Sequence, residues 1–220
     1  MKDVVAIDGP AGAGKSTVAR LVAREIGYRY VDTGAMYRAL TLLALRKGIP
    51  CDAEDLVAEL AARARIIMNG DGPVPSVILD GEDVGTAIRQ PEVSRHVSLV
   101  ARIPAVRERL TELQRRMAAA GRVVMEGRDI GTVVLPHAEH KFFITASAEE
   151  RARRRQRELA AAGRQCDLDV LAREIARRDF IDSTREVAPL RPAPDALVID
   201  TTERTIDQVV EMIVREVRGK

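Results

Sequence analysis

Apolar positions recur along this chain with two different periods, and their alternation sets the architecture. Val4-Val5-Ala6-Ile7-Asp8 is apolar at four of five positions and reads as a buried strand. Val18, Ala19, Leu21, Val22 and Ile26 follow at helical spacing. Gly27 closes that helix, Tyr28-Arg29-Tyr30-Val31 reads as a second strand, and Asp32-Thr33-Gly34 reads as a turn. The next helix carries Met36, Leu40, Leu43 and Ala44 on one face and stops near Gly48-Ile49-Pro50. Strands and helices alternating at this spacing predict a parallel sheet covered by helices.

The pattern then changes. Residues 52–65 read as an amphipathic helix capped by Asp52. Arg65-Ile66-Ile67-Met68 and Val77-Ile78-Leu79, joined by Asn69-Gly70-Asp71-Gly72-Pro73, read as an antiparallel hairpin. Asp80-Gly81-Glu82-Asp83-Val84 leads into one more short strand. A hairpin does not belong inside a parallel alternation, so about 52–95 is expected to be a small α+β insertion. Helices are expected over about 86–101 and 104–120, with Pro104 at the first position of the second.

The parallel pattern resumes with Arg122-Val123-Val124-Met125-Glu126 and Lys141-Phe142-Phe143-Ile144-Thr145. A helix from near Ser147 to Gly163 carries Arg151, Arg153, Arg154, Arg155 and Arg157, and another spans about 167–182. Pro189, Pro192 and Pro194 mark a link to the last strand, Ala196-Leu197-Val198-Ile199-Asp200. Thr205 caps a final helix bearing Ile206, Val209, Val210 and Ile213. The expected fold is α/β over 1–220, a parallel sheet covered by helices on both faces.

Chemistry enters at the first strand-to-helix turn. Gly9-Pro10-Ala11-Gly12-Ala13-Gly14-Lys15-Ser16 matches G-x-x-x-x-G-K-[ST] in full, and Thr17 continues into the helix. The glycines let backbone N–H groups line a concave loop, and the helix N-terminus adds donors and partial positive charge. Lys15 supplies a charge for the outer phosphates and Ser16 a hydroxyl for Mg²⁺. This loop implies a nucleoside triphosphate with magnesium, and it leaves open what is done with them.

Composition narrows the field only a little. With 46% apolar residues the chain can form a core, and a net charge of +2 argues against a general polyanion binder. Of 35 basic residues all but Lys2, Lys15, Lys47, Lys141 and Lys220 are arginine, whose planar fork grips phosphate through two bonds. The Arg151–Arg157 run lacks interleaved aromatics, so no nucleic-acid partner is expected. Cys51 and Cys166 are isolated, which excludes a disulfide framework and fits a reducing, cytoplasmic setting. No secretory leader and no apolar run of the ~18–20 residues a membrane span needs are visible. His96, His137 and His140 lack metal-ligand spacing. A monomer is expected.

In open parallel sheets ligands bind beyond the carboxyl ends of the strands. Those ends carry the phosphate loop, then Asp32-Thr33-Gly34 with Arg38, then Glu126-Gly127-Arg128-Asp129, and finally Asp200-Thr201-Thr202. Three of the four bring Arg or Lys, as a site for two phosphorylated ligands requires.

Three stretches now resemble a known family. Ile7 to Thr17, Asp32-Thr33-Gly34-Ala35-Met36-Tyr37-Arg38, and Glu126-Gly127-Arg128-Asp129-Ile130-Gly131-Thr132-Val133-Val134 are similar to the bacterial-type cytidylate kinases. Those enzymes belong to the nucleoside monophosphate kinase group of P-loop kinases. Arg178-Asp179, Asp182, Arg185 and Ala188-Pro189-Leu190 add to the likeness. The resemblance implies phosphoryl transfer from ATP–Mg²⁺ to CMP or dCMP. It implies a P-loop kinase core, a monophosphate-binding insertion at about 52–95 and a helical lid at about 147–170.

By the same resemblance Gly9 to Thr17 bind ATP. Thr33, Arg38, Arg128 and Arg185 hold the acceptor phosphate. Ser98, Arg107 and Asp129 read the cytosine edge, and Arg178 and Asp182 take the ribose hydroxyls. Ser16 and Glu126 serve the metal. Lys15, Arg128, Arg185 and a lid arginine are the catalytic group; Arg154 is taken for the last, with Arg151 and Arg155 as alternatives. Thr33 stands where the family usually has Ser, and Glu126 where it usually has Asp. Two other readings of the loop remain: a P-loop kinase of a non-nucleotide hydroxyl, such as a shikimate-type kinase, and a nucleotide-dependent switch. A guanine-reading N/T-K-x-D stretch is absent from the sequence.

Overall fold

A computed structural model describes residues 3–69, 76–161 and 163–219. Five parallel strands form the central sheet: β1 (Val4–Asp8), β2 (Arg29–Asp32), β6 (Val123–Gly127), β7 (His140–Thr145) and β8 (Leu197–Asp200). Their order is β2-β6-β1-β7-β8, so β1 sits at the centre. Val4 pairs with Val123 and Val5 with His140.

Because side chains alternate across a strand, β1 feeds two cores. Val5 and Ile7 join Val124, Phe142, Ile144 and Ile199 under α1 (Lys15–Ile26) and α8 (Ile206–Val217). Val4 and Ala6 join Val31, Val123 and Met125 on the opposite face, beneath Ala118 of α5 (Pro104–Ala118) and Ile130 and Val134. The central strands β1 and β6 are thus buried from both sides, which is why they read as nearly continuous apolar runs, while the edge strand β8 leaves Leu197 and Val198 exposed. Thr205 caps α8 with a complete capping box closed by Gln208.

A third core belongs to α2 (Thr33–Arg46), α3 (Glu54–Arg63), α4 (Pro91–Arg102) and the inner face of α5. It is overlaid by an antiparallel sheet of β3 (Ile66–Asn69), β4 (Ser76–Leu79) and β5 (Glu82–Asp83). The turn expected at 70–73 lies outside the described residues. Two further helices, α6 (Ala148–Ala161) and α7 (Leu168–Thr184), pack on each other through Ala152, Leu171 and Ile175.

The structure corrects three local readings. Asp32-Thr33-Gly34 is not a turn: Asp32 ends β2 and caps α2, its carboxylate accepting from Ala35 N at 3.0 Å, so Thr33 and Gly34 are already helical. Asp52 does not cap α3, which begins at Glu54 behind Ala53 without a side-chain cap. The helix expected from 86 is divided into a short 3₁₀ turn, Ala87–Arg89, and α4. Gln90 is extended (φ −62°, ψ 146°) because it precedes Pro91, whose ring disfavours helical backbone before it.

Candidate active site

The carboxyl ends of β2, β6 and β1 lie side by side at one end of the sheet. At β1 the phosphate loop is fixed by packing as well as by sequence. Gly9 has φ 146°, and a Cβ there would fall 1.9 Å from Ile144 O, so no other residue fits. Lys15 opens α1 and is buried; its Nζ donates to Pro10 O at 2.7 Å. Burial, then the positive charges of Arg128 and Arg178, pulls its pKa down to about 7. The carboxylates of Glu126 and Asp8 oppose these two arginines.

At β6, Gly127 makes room for the crossing between strands. A Cβ there would sit 2.7 Å from both Thr33 Oγ1 and Ile130 Cδ1. The Thr33 hydroxyl donates to Glu126 O at 2.7 Å. Arg38, one turn into α2, donates to Asp32 Oδ2 at 2.6 Å, and its buried Nε has no partner among the described residues. Burial alone would raise the Asp32 carboxyl, but Arg38 outweighs it and holds the group below its usual range.

Past the end of β6 and on α7 lie two buried carboxylates, Asp129 and Asp182, each wrapped by arginines. Asp129 receives Arg107 from α5 and, at 3.4 Å, Arg185 from the end of α7. Asp182 on α7 accepts from Ser98 of α4 at 3.0 Å and from Arg128 Nε at 3.1 Å, with Arg178 4.0 Å away. Burial opposes the charge on Asp182, and Arg128, Arg178 and Arg185 hold its carboxyl below the ordinary value. Arg178 itself is depressed to about 10 by burial and by Arg128. Buried charges persist only when paired this fully. Ser98, Arg107, Arg128, Asp129, Arg178, Asp182 and Arg185, drawn from four segments of the chain, thus form one network.

A family model described as cytidylate kinase matches residues 5–219. The chain belongs to the cytidylate kinase family. The "Cytidylate kinase" of Pelotomaculum thermopropionicum is 58% identical over 214 residues, covering 97% of this chain and 95% of that protein. That of Symbiobacterium thermophilum is 54% identical over 216 residues, covering 98% and 96%. Among solved structures, a shikimate kinase from Bacteroides thetaiotaomicron superposes with a TM-score of 0.50 at 12% identity, over 98% of each chain. An uncharacterised protein from Eubacterium ventriosum gives 0.52 at 12% identity over 100% of each. At that identity the two structures speak for the P-loop kinase fold alone.

The three arginines expected of a lid stand in different surroundings. Arg154 donates to Glu150 Oε1 at 3.1 Å, Thr201 Oγ1 at 3.0 Å, Thr201 O at 2.6 Å and Ala13 O at 3.4 Å. Arg151 donates to Ala146 O at 3.0 Å and Ala11 O at 3.1 Å, and pairs with Asp179 at 2.7 Å. Both guanidiniums clamp α6 onto carbonyls of the phosphate loop. Arg155 instead faces Glu158 at 3.0 Å on an exposed helix surface.

For magnesium the donor set fits. The Ser16 hydroxyl lies beside Glu126 and Tyr30. Tyr30 Oη donates to Glu126 Oε1. Burial, followed by the nearby Asp32 charge, raises the Glu126 carboxyl, and Lys15 opposes them. Among the described residues no three His, Cys, Asp or Glu side chains gather as a closed cage. A hydroxyl and a carboxylate oxygen beside a phosphate loop suit an ion that keeps waters and takes phosphate oxygens.

Sequence reasoning passed over Tyr30 and Asp8. Tyr30 gave no signal, since a strand tyrosine is common. Asp8 did give one: it is the sole charged residue of a wholly buried strand.

Proposed function

We propose that this chain transfers the γ-phosphoryl group of ATP to CMP or dCMP, giving ADP and CDP or dCDP. The observation that carries this reading is the arginine–carboxylate network of Arg128, Arg178, Asp182, Asp129 and Arg185, which begins one residue after Gly127, the strand partner of Asp8 at the start of the phosphate loop. A phosphate loop alone would serve many activities; one beside a second set of arginines is built for two anionic ligands. The relatives named cytidylate kinase support the same assignment.

Phosphoryl transfer asks the protein for little covalent work and much positioning. Lys15 and the loop amides hold the donor's outer phosphates. Thr33, Arg38, Arg128 and Arg185 hold the acceptor phosphate, whose oxygen attacks the γ-phosphorus as the bond to the β-phosphate oxygen breaks. A phosphate monoester's second ionisation lies near pH ~6, so the attacking oxygen is already anionic at neutral pH and needs no general base. Magnesium, held by Ser16 and Glu126, would supply further neutralisation of the phosphate oxygens. Asp129 accepts from the cytosine amino group, because each of its oxygens retains a lone pair beyond those given to Arg107 and Arg185. Uracil lacks that donor, and a buried carboxylate left facing its carbonyl oxygen penalises it. Arg178 and Asp182 meet the ribose. The 147–170 segment acts as the lid and about 52–95 as the monophosphate-binding region.

Initial rates with ATP–Mg²⁺ over CMP, dCMP, UMP, AMP, GMP and TMP test the assignment. CMP and dCMP are expected to be used fastest. Equal rates with AMP overturn the choice of base and leave a kinase; release of phosphate without transfer overturns the kinase.

A further inference from the structure

Strand β1 is buried throughout, yet it ends in a carboxylate, Asp8, which is 4% exposed. Its Oδ1 accepts from Ile130 N at 2.8 Å and its Oδ2 from Gly131 N at 2.7 Å. Those two amides open a five-residue π-helical turn, Ile130–Val134, a rare form concentrated at functional sites. The residue immediately before that turn is Asp129, whose carbonyl accepts from Val133 N at 2.9 Å and Val134 N at 3.1 Å. Asp8 thus caps the turn from a neighbouring strand, as an N-terminal carboxylate caps an ordinary helix.

The fit is close. A Cβ on Gly131 would lie 3.4 Å from Asp8 Oδ2 and 3.2 Å from Lys141 Cδ. Asp8 is also bonded directly to Gly9, the first residue of the phosphate loop. One side chain therefore joins the backbone leading into the donor loop to the backbone that carries Asp129.

We infer that Asp8 is a positioning residue for base selection, holding Asp129 in register with the phosphate loop. The inference rests on the reading of Asp129 as the group that meets the cytosine amino donor. Two acceptor oxygens are essential to it. Asparagine offers one oxygen, and its amide nitrogen would set donor against donor at the second N–H. Burial drives the Asp8 carboxyl up to about 7 in spite of its two amide donors. Such a cost is typical of a group kept for function rather than stability.

The test compares steady-state kinetics of the full-length parent, Asp8→Asn, Gly131→Ala and Asp129→Asn with CMP and with UMP, and KM for ATP. Asp8→Asn is expected to lower the CMP-over-UMP ratio of kcat/KM by about tenfold, with KM for ATP changed by less than about threefold. Gly131→Ala keeps the charge and shifts its seat, so a smaller fall in the same ratio is expected. A general loss of structure would lower both substrates together and leave the ratio alone. If Asp129→Asn itself leaves the ratio unchanged, the base-reading role fails and the inference with it. If Asp129→Asn collapses the ratio while Asp8→Asn and Gly131→Ala hold it within about twofold, Asp8 is structural only. Should Asp8→Asn fail to fold, Gly131→Ala decides: a lowered ratio supports the inference and an unchanged one overturns it.

Discussion

The donor loop and the acceptor cluster meet at the same end of the sheet, but they are made differently. The donor loop is local: a strand, eight consecutive residues and a helix N-terminus, its groups held by backbone geometry. The acceptor cluster is dispersed. Asp129 and Asp182 lie 53 positions apart and are gripped by side chains from α4, α5, α7 and the end of β6. Local construction makes a site rigid and recognisable. Dispersed construction makes it sensitive to the relative placement of helices, and therefore responsive to what binds. Both halves place charge where burial penalises it, but the acceptor half offsets that with paired carboxylates, whereas Lys15 has, among the described residues, only a carbonyl as hydrogen-bond partner.

The strongest way to break this comparison is at Arg128. Arg128→Ala removes a guanidinium proposed to hold the acceptor phosphate and should lower kcat/KM for CMP by about 10²–10³-fold. Asp182 keeps Ser98 and Arg178, so circular dichroism should show a folded chain. Unchanged activity would remove Arg128 from the site.

Next comes Lys15. Lys15→Met should lower kcat by about 10²-fold and abolish the thermal stabilisation given by ATP–Mg²⁺. Yet the ligand-free variant should be no less stable than the parent at pH 7, since the lysine's charge is disfavoured there. A clear loss of stability would mean that Lys15 is a structural residue.

The pH dependence of the ligand-free protein sharpens the same point. Lys15 titrates near 7 when folded and ordinarily near 10.5, so between these values the unfolded chain binds more protons and stability rises with pH. Asp8 titrates near 7 when folded and ordinarily near 3.8, so its contribution is present below about pH 4 and is lost as pH rises to 7. Lys15 faces Arg128, Arg178, Glu126 and Asp8; Asp8 faces Asp129 and Lys15. Together the two groups place a stability minimum near pH 7. Melting curves across pH should show the alkaline rise flattened in Lys15→Met; a rise that persists unchanged contradicts the assignment.

The smallest effect is expected outside both halves. Arg46 and Glu82 form a two-pronged pair at 2.7 and 2.8 Å on the exposed flank of the insertion. Arg46→Ala should leave the melting temperature and the kinetics unchanged within error, because exposed ion pairs are screened. A drop in CMP use would tie that flank to the acceptor site.

Much of the molecule could be read before it was seen. The apolar runs of β1, β6 and β7 and the helical stripe of α8 are strong because each faces a core. Thr205 was legible as a cap from its own position, whereas Asp32 was misread, since a D-T-G triplet serves a turn and a helix start equally well. The break at Gln90–Pro91 was hidden because periodicity runs through it, while the proline constraint acts on one residue.

By itself the sequence determined the phosphate loop, the parallel core and the antiparallel strands beside it. These depend on neighbours a few residues apart and on a burial period that composition reveals. Only the tertiary structure decided which arginine holds which carboxylate, that Arg151 and Arg154 bind loop carbonyls, and that Asp8 caps the turn beside Asp129. The arginine–carboxylate pairings are choices among equivalent partners: thirty arginines offer the same fork to every carboxylate, and only the packing of α4, α5 and α7 against the sheet selects among them.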